Sequence, residues 1–290
     1  MYEFYVGTTP KDPPGNIVKV CLDSDGQLVD KSYYEAVSPA YLCRKGSCIY
    51  AVIENADFGG VQVFDVNKNG SLTAKARLDT EDVYSTYISA EKRGNRIFVA
   101  NYGTPSCAVY RYEAEKLVQE SVLREKKTEK SHIHCAALTP EEAYVCLVDV
   151  GTDEILVYAA DSLELVDTVK FPEGSGPRHI VFSSKGSYAY VITESSSEVF
   201  LMAYTPEQER KLVSQKSLRE FQIQGAWSQI ICRNTNDDSI AGVHFLNNLV
   251  HVIFVFQDTA VVFVCFSHCY VTHLHGTSLA SGTVLDVVIK

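Results

Sequence analysis

Apolar and polar positions follow one pattern four times between residues 49 and 204. Each unit reads as an apolar strand, a polar turn with Gly or Lys, an aromatic-rich strand, a polar corner, and a strand of the form V-x-V-Y. The units are IYAVIENADFGGVQVFDV (49–66), IFVANYGTPSCAVYRY (97–112), AYVCLVDVGTDEILVY (143–158) and AYVITESSSEVFLMAY (189–204). An aromatic or aliphatic marker falls at Tyr5, Tyr50, Phe98, Tyr144, Tyr190 and Ile231, in steps of 45, 48, 46, 46 and 41 residues. Helical periodicity is not evident anywhere. Four short strands per period of this length describe a β-propeller blade. A two-sheet sandwich also has regular turns but does not require a constant period. The expectation is therefore an all-β single propeller domain over 1–290, with well-matched repeats over 2–240. The second strands of successive blades are expected near 49–53, 97–101, 143–148 and 189–193.

The ends suggest how the open edge is closed. Glu3–Gly7 reads as a second strand, and Thr283–Ile289 as an apolar strand of the innermost type. Pairing them would complete one mixed blade. Residues 241–290 depart from the pattern, with three charged residues (Asp258, Asp286, Lys290) and five of the eight histidines. The next marker, Ile253, follows Ile231 by only 22 residues. Seven units at this period would need roughly 320 residues. The expectation is a seven-bladed type with a shortened or incomplete last blade, its tail truncated or frame-shifted. That tail should pack irregularly and expose apolar surface.

Charge narrows the function. Twenty-six basic residues against 36 acidic ones give a net charge of −10, which argues against nonspecific nucleic-acid binding. A few local arginines can still hold a small anion in a cleft. The start, MYEFYVGTTPKD, has no basic segment followed by an apolar core, and no run of 18 apolar residues occurs. The expectation is a cytoplasmic protein without membrane contact. Nine scattered cysteines without a CxxC pair read as free thiols, neither disulfides nor a zinc site.

Antiparallel neighbours place the start of a first strand and the end of a second strand on the same face. Second strands end at Glu54, Asn101, Asp149, Glu194 and Arg233. First strands start at His132, His134, Arg178 and His179. Two of these have plain structural roles open to them: Asn101 and Asp149 can cap the turn after their strand. His134 follows His132 by two residues and should share its side of a strand. Either it or His179 can be a buried structural histidine. Arg178 and Glu194 can pair with each other, because charges near such a position are costly unless paired or used.

These residues carry a family resemblance. YVGT (5–8), ANYG (100–103), SHIHCAALTPEEAYV (131–145), DVGTDEILVY (149–158) and GSGPRHIVFSSKGSYAYVITE (174–194) resemble the lactonase family of seven-bladed propellers. That family includes cycloisomerase-type 6-phosphogluconolactonases and carboxymuconate lactonizing enzymes. The resemblance implies an active face made of the HxH histidine, the arginine of GPRH, the next strand-ending glutamate and a later arginine. Here these are His132, Arg178, Glu194 and Arg233, the last from RNTNDDSIAG (233–242). His134, His179, Asn101 and Asp149 are expected to contact substrate. The implied activity is hydrolysis of a sugar lactone, first of all 6-phosphogluconolactone, without a cofactor or metal, by a monomer or weak homodimer.

Lactone hydrolysis needs a polarised carbonyl, an activated water and a proton for the ring oxygen. Arginine can stabilise the oxyanion, and a histidine or glutamate can move the proton. Arg178, Arg233 and Lys185 are candidates for holding a phosphate or carboxylate. No Gly-x-Ser-x-Gly elbow is present, which argues against a covalent serine. Two other readings stand beside this one. In the first, Glu54, Asn101, Asp149 and Glu194 form an oxygen ring for Ca²⁺ in a metal-dependent lactonase. In the second, the same face binds a partner without catalysis.

Overall fold

The computed structural model describes residues 2–9, 15–23, 28–124, 128–183, 188–196, 198–204, 212–217, 227–233, 240–246, 249–256, 259–266 and 283–289, with side chains described no further than Tyr204. Within them every regular element is a strand. β1 (Tyr2–Thr9), β2 (Gly15–Leu22) and β3 (Leu28–Ala36) open the chain. β4 (Leu42–Lys45), β5 (Cys48–Val52), β6 (Gly59–Val66) and β7 (Leu72–Thr80) follow as one sheet. The next sheet is β8 (Ser85–Ala90), β9 (Arg96–Asn101), β10 (Ser106–Glu113) and β11 (Lys116–Leu123). Then come β12 (Ile133–Leu138), β13 (Tyr144–Asp149), β14 (Glu154–Ala159) and β15 (Leu165–Lys170). They are followed by β16 (Pro177–Phe182), β17 (Tyr188–Thr193), β18 (Val199–Tyr204) and β19 (Leu212–Ser217). A further sheet holds β20 (Trp227–Arg233), β21 (Ile240–Leu246), β22 (Leu249–Phe256) and β23 (Thr259–Phe266), and β24 (Thr283–Ile289) ends the described chain.

The chain divides into two compact units. The first comprises residues 1–42, 66–72 and 223–290. In it β24 lies antiparallel to β1, with Phe4 opposite Ile289 and Val6 opposite Val287, giving the order β24–β1–β2–β3. The mixed blade expected from the two ends is thus formed. The same unit holds the sheet β20–β23, complete and antiparallel in sequence order.

That sheet revises the rank of two markers in the tail. Ile231, taken as a second-strand marker, belongs to the first strand β20, and Ile253 belongs to the third strand β22 of the same sheet. Their 22-residue spacing separates two strands of one sheet. Strands with almost no charged positions resemble each other, so the pattern does not order them. The described residues contain six four-stranded sheets, with no half-formed one among them. The apolar surface expected for 241–290 concerns side chains outside the described residues.

The second unit comprises residues 43–65 and 73–222 and carries four successive sheets. Its second strands fall where the period places them, at β5, β9, β13 and β17. Their apolar runs are continuous because both faces are covered: Ile49, Val52, Phe98, Val99, Val145, Val148, Ala189 and Val191 are all inaccessible to solvent. Each such aliphatic side chain contributes about 1.5–3 kcal/mol on burial. The fourth strands β7 and β11 instead alternate between exposed and half-buried positions, which is the pattern of an outer edge. No helix among the described residues is long and apolar enough to cross a membrane.

Candidate functional site

Three successive sheets of the second unit end in the same way. The first and second strands are joined beyond their last ladder pair by one further backbone hydrogen bond. Tyr102 N–H donates to Tyr84 O (2.9 Å), Val150 N–H to His132 O (3.0 Å), and Glu194 N–H to Gly176 O (2.6 Å). Just inside that bond the register of each pair slips, between Ser85 and Tyr87, Ile133 and Cys135, and Pro177 and His179. The extra residues are Thr86, His134 and Arg178. A bulge of this kind takes a side chain out of the regular alternation and re-aims it.

Arg178 is the bulged residue of the β16–β17 pair. Its Nη1 donates to Glu194 Oε2 at 2.9 Å, with the Arg178 side chain 13% exposed and that of Glu194 37% exposed. The mutual salt bridge foreseen as their plain explanation is therefore present. It does not use up the guanidinium, because Nε is buried without a hydrogen-bond partner among the described residues. Glu54, just past β5, also feels Arg178. Burial pushes its carboxyl above the usual carboxylate range, and the Arg178 charge pulls it back part of the way.

The loop that delivers Arg178 is held from the neighbouring sheet. Asp153, in left-handed backbone at φ 57°, accepts the Gly174 and Gly176 N–H groups at 2.7 Å each. Gly176 has φ 62°, and a Cβ there would lie 2.7 Å from Ser195 Oγ. Glycine therefore allows the chain to turn into Pro177 and Arg178.

His132 is fixed on two sides. Its ring stacks on Tyr102 with centroids 4.3 Å apart and an interplanar angle of 10°. Its Nδ1 lies 3.1 Å from Tyr102 O. A carbonyl oxygen can only accept, so Nδ1 carries the hydrogen, and the lone pair of the neutral ring sits on Nε2. The His132 backbone N–H donates to Asp149 Oδ1 at 2.8 Å.

Tyr102 is the member of the cluster that sequence reasoning passed over, although ANYG contains it. It stacks on His132, and its ring centroid lies 6.0 Å from that of His134. Burial raises its phenol pKa, the Glu194 and Asp149 charges add to that, and Arg178 opposes them. Its signal in the sequence was its place: it follows the last residue of a second strand, as Glu194 does.

The four residues expected to contact substrate lie beneath this cluster instead. Asn101 is fully buried, accepting from Ser85 Oγ (2.7 Å) and donating to Ser106 Oγ (3.0 Å). Asp149, 2% exposed, takes the Ser131 hydroxyl on one oxygen. Its other oxygen takes the N–H groups of His132 (2.8 Å), Gly151 (2.9 Å) and Thr152 (3.2 Å). Asp149 acts as a turn cap, and Asn101 ties the starts of its neighbouring strands together through the two serines. His134 and His179 are buried, with ring centroids 5.0 Å apart in an edge-on arrangement. Burial, with Arg178 adding to it, lowers both: His134 falls well below its ordinary value and His179 to about 3. They form a neutral layer behind the arginine. His132 and His134 do not sit side by side on a regular strand, because His132 precedes β12 and His134 is itself the bulged residue.

The calcium reading needed free oxygens at Asn101 and Asp149, and both are committed to internal bonds. The described residues include no group of three or more His, Cys, Asp or Glu placed to hold a metal ion. Arg233 ends a first strand, β20, and not a second strand as expected, and its side chain is outside the described residues. Lys185 is also outside them.

The ordered sheets and the cluster at their ends define a propeller with one polar face built by successive blades. The family model for "Lactonase, 7-bladed beta-propeller" matches residues 3–241, and the chain belongs to that family. It is 32% identical over 220 residues to the 6-phosphogluconolactonase of Bacillus subtilis, covering 71% of this chain and 63% of that one. It is 31% identical over 215 residues to an uncharacterized protein of Staphylococcus saprophyticus, covering 69% of this chain and 62% of that one. The chain thus spans a little under two thirds of these curated relatives. Among solved structures, a protein from Lactobacillus plantarum superposes with a TM-score of 0.70 at 22% identity, over 92% of this chain and 82% of that one. The periplasmic gluconolactonase PpgL of Pseudomonas aeruginosa superposes with a TM-score of 0.69 at 20% identity, over 91% and 81%. At these identities the structures speak for the fold alone.

Proposed function

We propose that the chain hydrolyses a sugar lactone, with 6-phosphogluconolactone as its first candidate substrate, in the cytoplasm and without a cofactor. The observation that carries the reading is the Arg178 guanidinium, which keeps an unpartnered buried Nε beside an exposed Glu194, in a cluster with an oriented His132. The family and the name of the Bacillus relative support the substrate class.

In this reading the lactone carbonyl oxygen, or the substrate's anionic group, meets Arg178. A water attacks the carbonyl carbon and gives its proton to His132 Nε2. The tetrahedral adduct then breaks its ring C–O bond, and His132 returns the proton to the departing alkoxide, leaving a hydroxy acid. Tyr102 O holds the Nδ1 proton throughout, so the ring faces the water with its basic nitrogen. Glu194, engaged with Arg178, positions the guanidinium.

The test is hydrolysis of 6-phosphogluconolactone and glucono-δ-lactone by the purified chain, measured above the spontaneous rate and repeated in chelator. Turnover that survives chelation supports the reading. Turnover lost in chelator favours a metal-dependent lactonase, and no turnover on either lactone favours a binding module.

A further inference from the structure

Tyr84 stands at the same position in its sheet as His132 does in the next, since the carbonyl of each accepts the closing backbone bond of its sheet. It is not a casual surface residue. Its backbone is left-handed, φ 53°, a region that costs a bulky side chain of order 1–3 kcal/mol. It is clamped there on both sides: Tyr84 N–H donates to Asn55 O at 2.9 Å, and Tyr84 O accepts from Tyr102 N–H at 2.9 Å. The ring lies over Gly103, where an added Cβ would come within 2.7 Å of Tyr84 Cδ2. Glycine at 103 therefore leaves room for the ring. Despite this seating, Tyr84 remains 42% exposed. A glycine at 84 would relieve the strain, so packing alone does not explain a tyrosine there.

We infer that Tyr84 is a substrate-binding residue whose exposed ring receives the apolar C–H face of a sugar lactone, and so selects ring substrates with such a face. This rests on the lactone-hydrolysis reading of the neighbouring cluster. Residue 102 links the two: its N–H holds Tyr84 in place, and its ring and carbonyl hold His132. An aromatic ring with a hydroxyl at its edge suits a sugar, which presents an apolar face and a polar rim.

The test uses the full chain with Tyr84→Gly and Tyr84→Phe. Two readouts are taken: KM and kcat on glucono-δ-lactone and 6-phosphogluconolactone, and calorimetric titration with 6-phosphogluconate. Tyr84→Gly is expected to keep or raise the Tm, because the backbone strain is gone. It should raise KM and weaken 6-phosphogluconate binding about tenfold, leaving kcat within a few-fold. Tyr84→Phe should retain most of the affinity. Unchanged KM and unchanged 6-phosphogluconate affinity in Tyr84→Gly overturn the inference. A wild-type chain that binds 6-phosphogluconate but hydrolyses neither lactone removes the enzymatic reading, while the titration still decides Tyr84. A wild-type chain that does neither overturns both.

Discussion

Arg178 and His134 hold the same place in successive sheets: each is the extra residue of the bulge between first and second strands. One is a cation that reaches Glu194, and the other is a buried imidazole held neutral behind it. Three successive sheets thus each supply one irregular position, and the residue type decides whether it serves the surface or the floor. Arg178→Lys is expected to lose much of the activity, because an ammonium cannot pair with Glu194 and still present a second donor in a fixed plane. Comparing kcat/KM for Arg178→Lys with wild type on 6-phosphogluconolactone checks this; equal values would count against a role for the fork.

The His132–Tyr102 stack makes a separate expectation. Tyr102→Leu keeps the backbone carbonyl that holds Nδ1 but removes the ring beneath the imidazole. It should lower kcat about tenfold with little change in KM, since the loss is one of orientation. His132→Gln should lower kcat by about 10²–10⁴. If the folded His132→Gln protein keeps wild-type kcat, the base lies elsewhere.

Acid should destabilise the fold through the buried histidines. His179 is pushed down to about 3 and His134 well below its ordinary value. In the unfolded chain both take up a proton below about pH 6.5. The unfolded state therefore binds more protons than the folded one in the window from 6.5 down towards 3, and stability falls as pH drops. The slope is about 1.4 kcal/mol per pH unit for each histidine. Glu54 works in the opposite sense, since burial raises its carboxyl. The informative measurement is thus a difference: urea unfolding of wild type and His179→Phe at several pH values from 7 to 5. The variant should show the shallower loss of stability.

Asp149 joins the fold to the site. Removing its carboxylate in Asp149→Ala leaves the buried Ser131 hydroxyl and three N–H groups without their acceptor. A cost of about 2–4 kcal/mol is expected from such unsatisfied donors. Because one of those N–H groups belongs to His132, activity should fall further than the folded fraction does. Unfolding curves and kcat on the folded fraction separate the two effects.

Periodicity made the blades legible. The runs around Ile49, Phe98, Val145 and Val191 are buried on both faces, and burial of that kind writes itself into sequence as uninterrupted apolar residues. The closing pair β24–β1 was legible for the same reason. The ranks of Ile231 and Ile253 were misread because strands nearly without charged positions carry no label of their place within a sheet. At the site, topology gathered the loops of Tyr102, His132 and Arg178 but could not rank their members. A bulge leaves no trace in composition, so His134 looked as available as Arg178. Asn101 and Asp149 resembled ligands because a saturated cap and a free carboxylate are spelled alike.

The most direct test is steady-state hydrolysis of 6-phosphogluconolactone by the purified chain, beside Arg178→Ala, with folding of both verified by unfolding curves. The account predicts turnover above the spontaneous rate in wild type and a loss of about 10²–10³ in kcat for the variant. Equal turnover in the two folded proteins, or none in wild type, would contradict it.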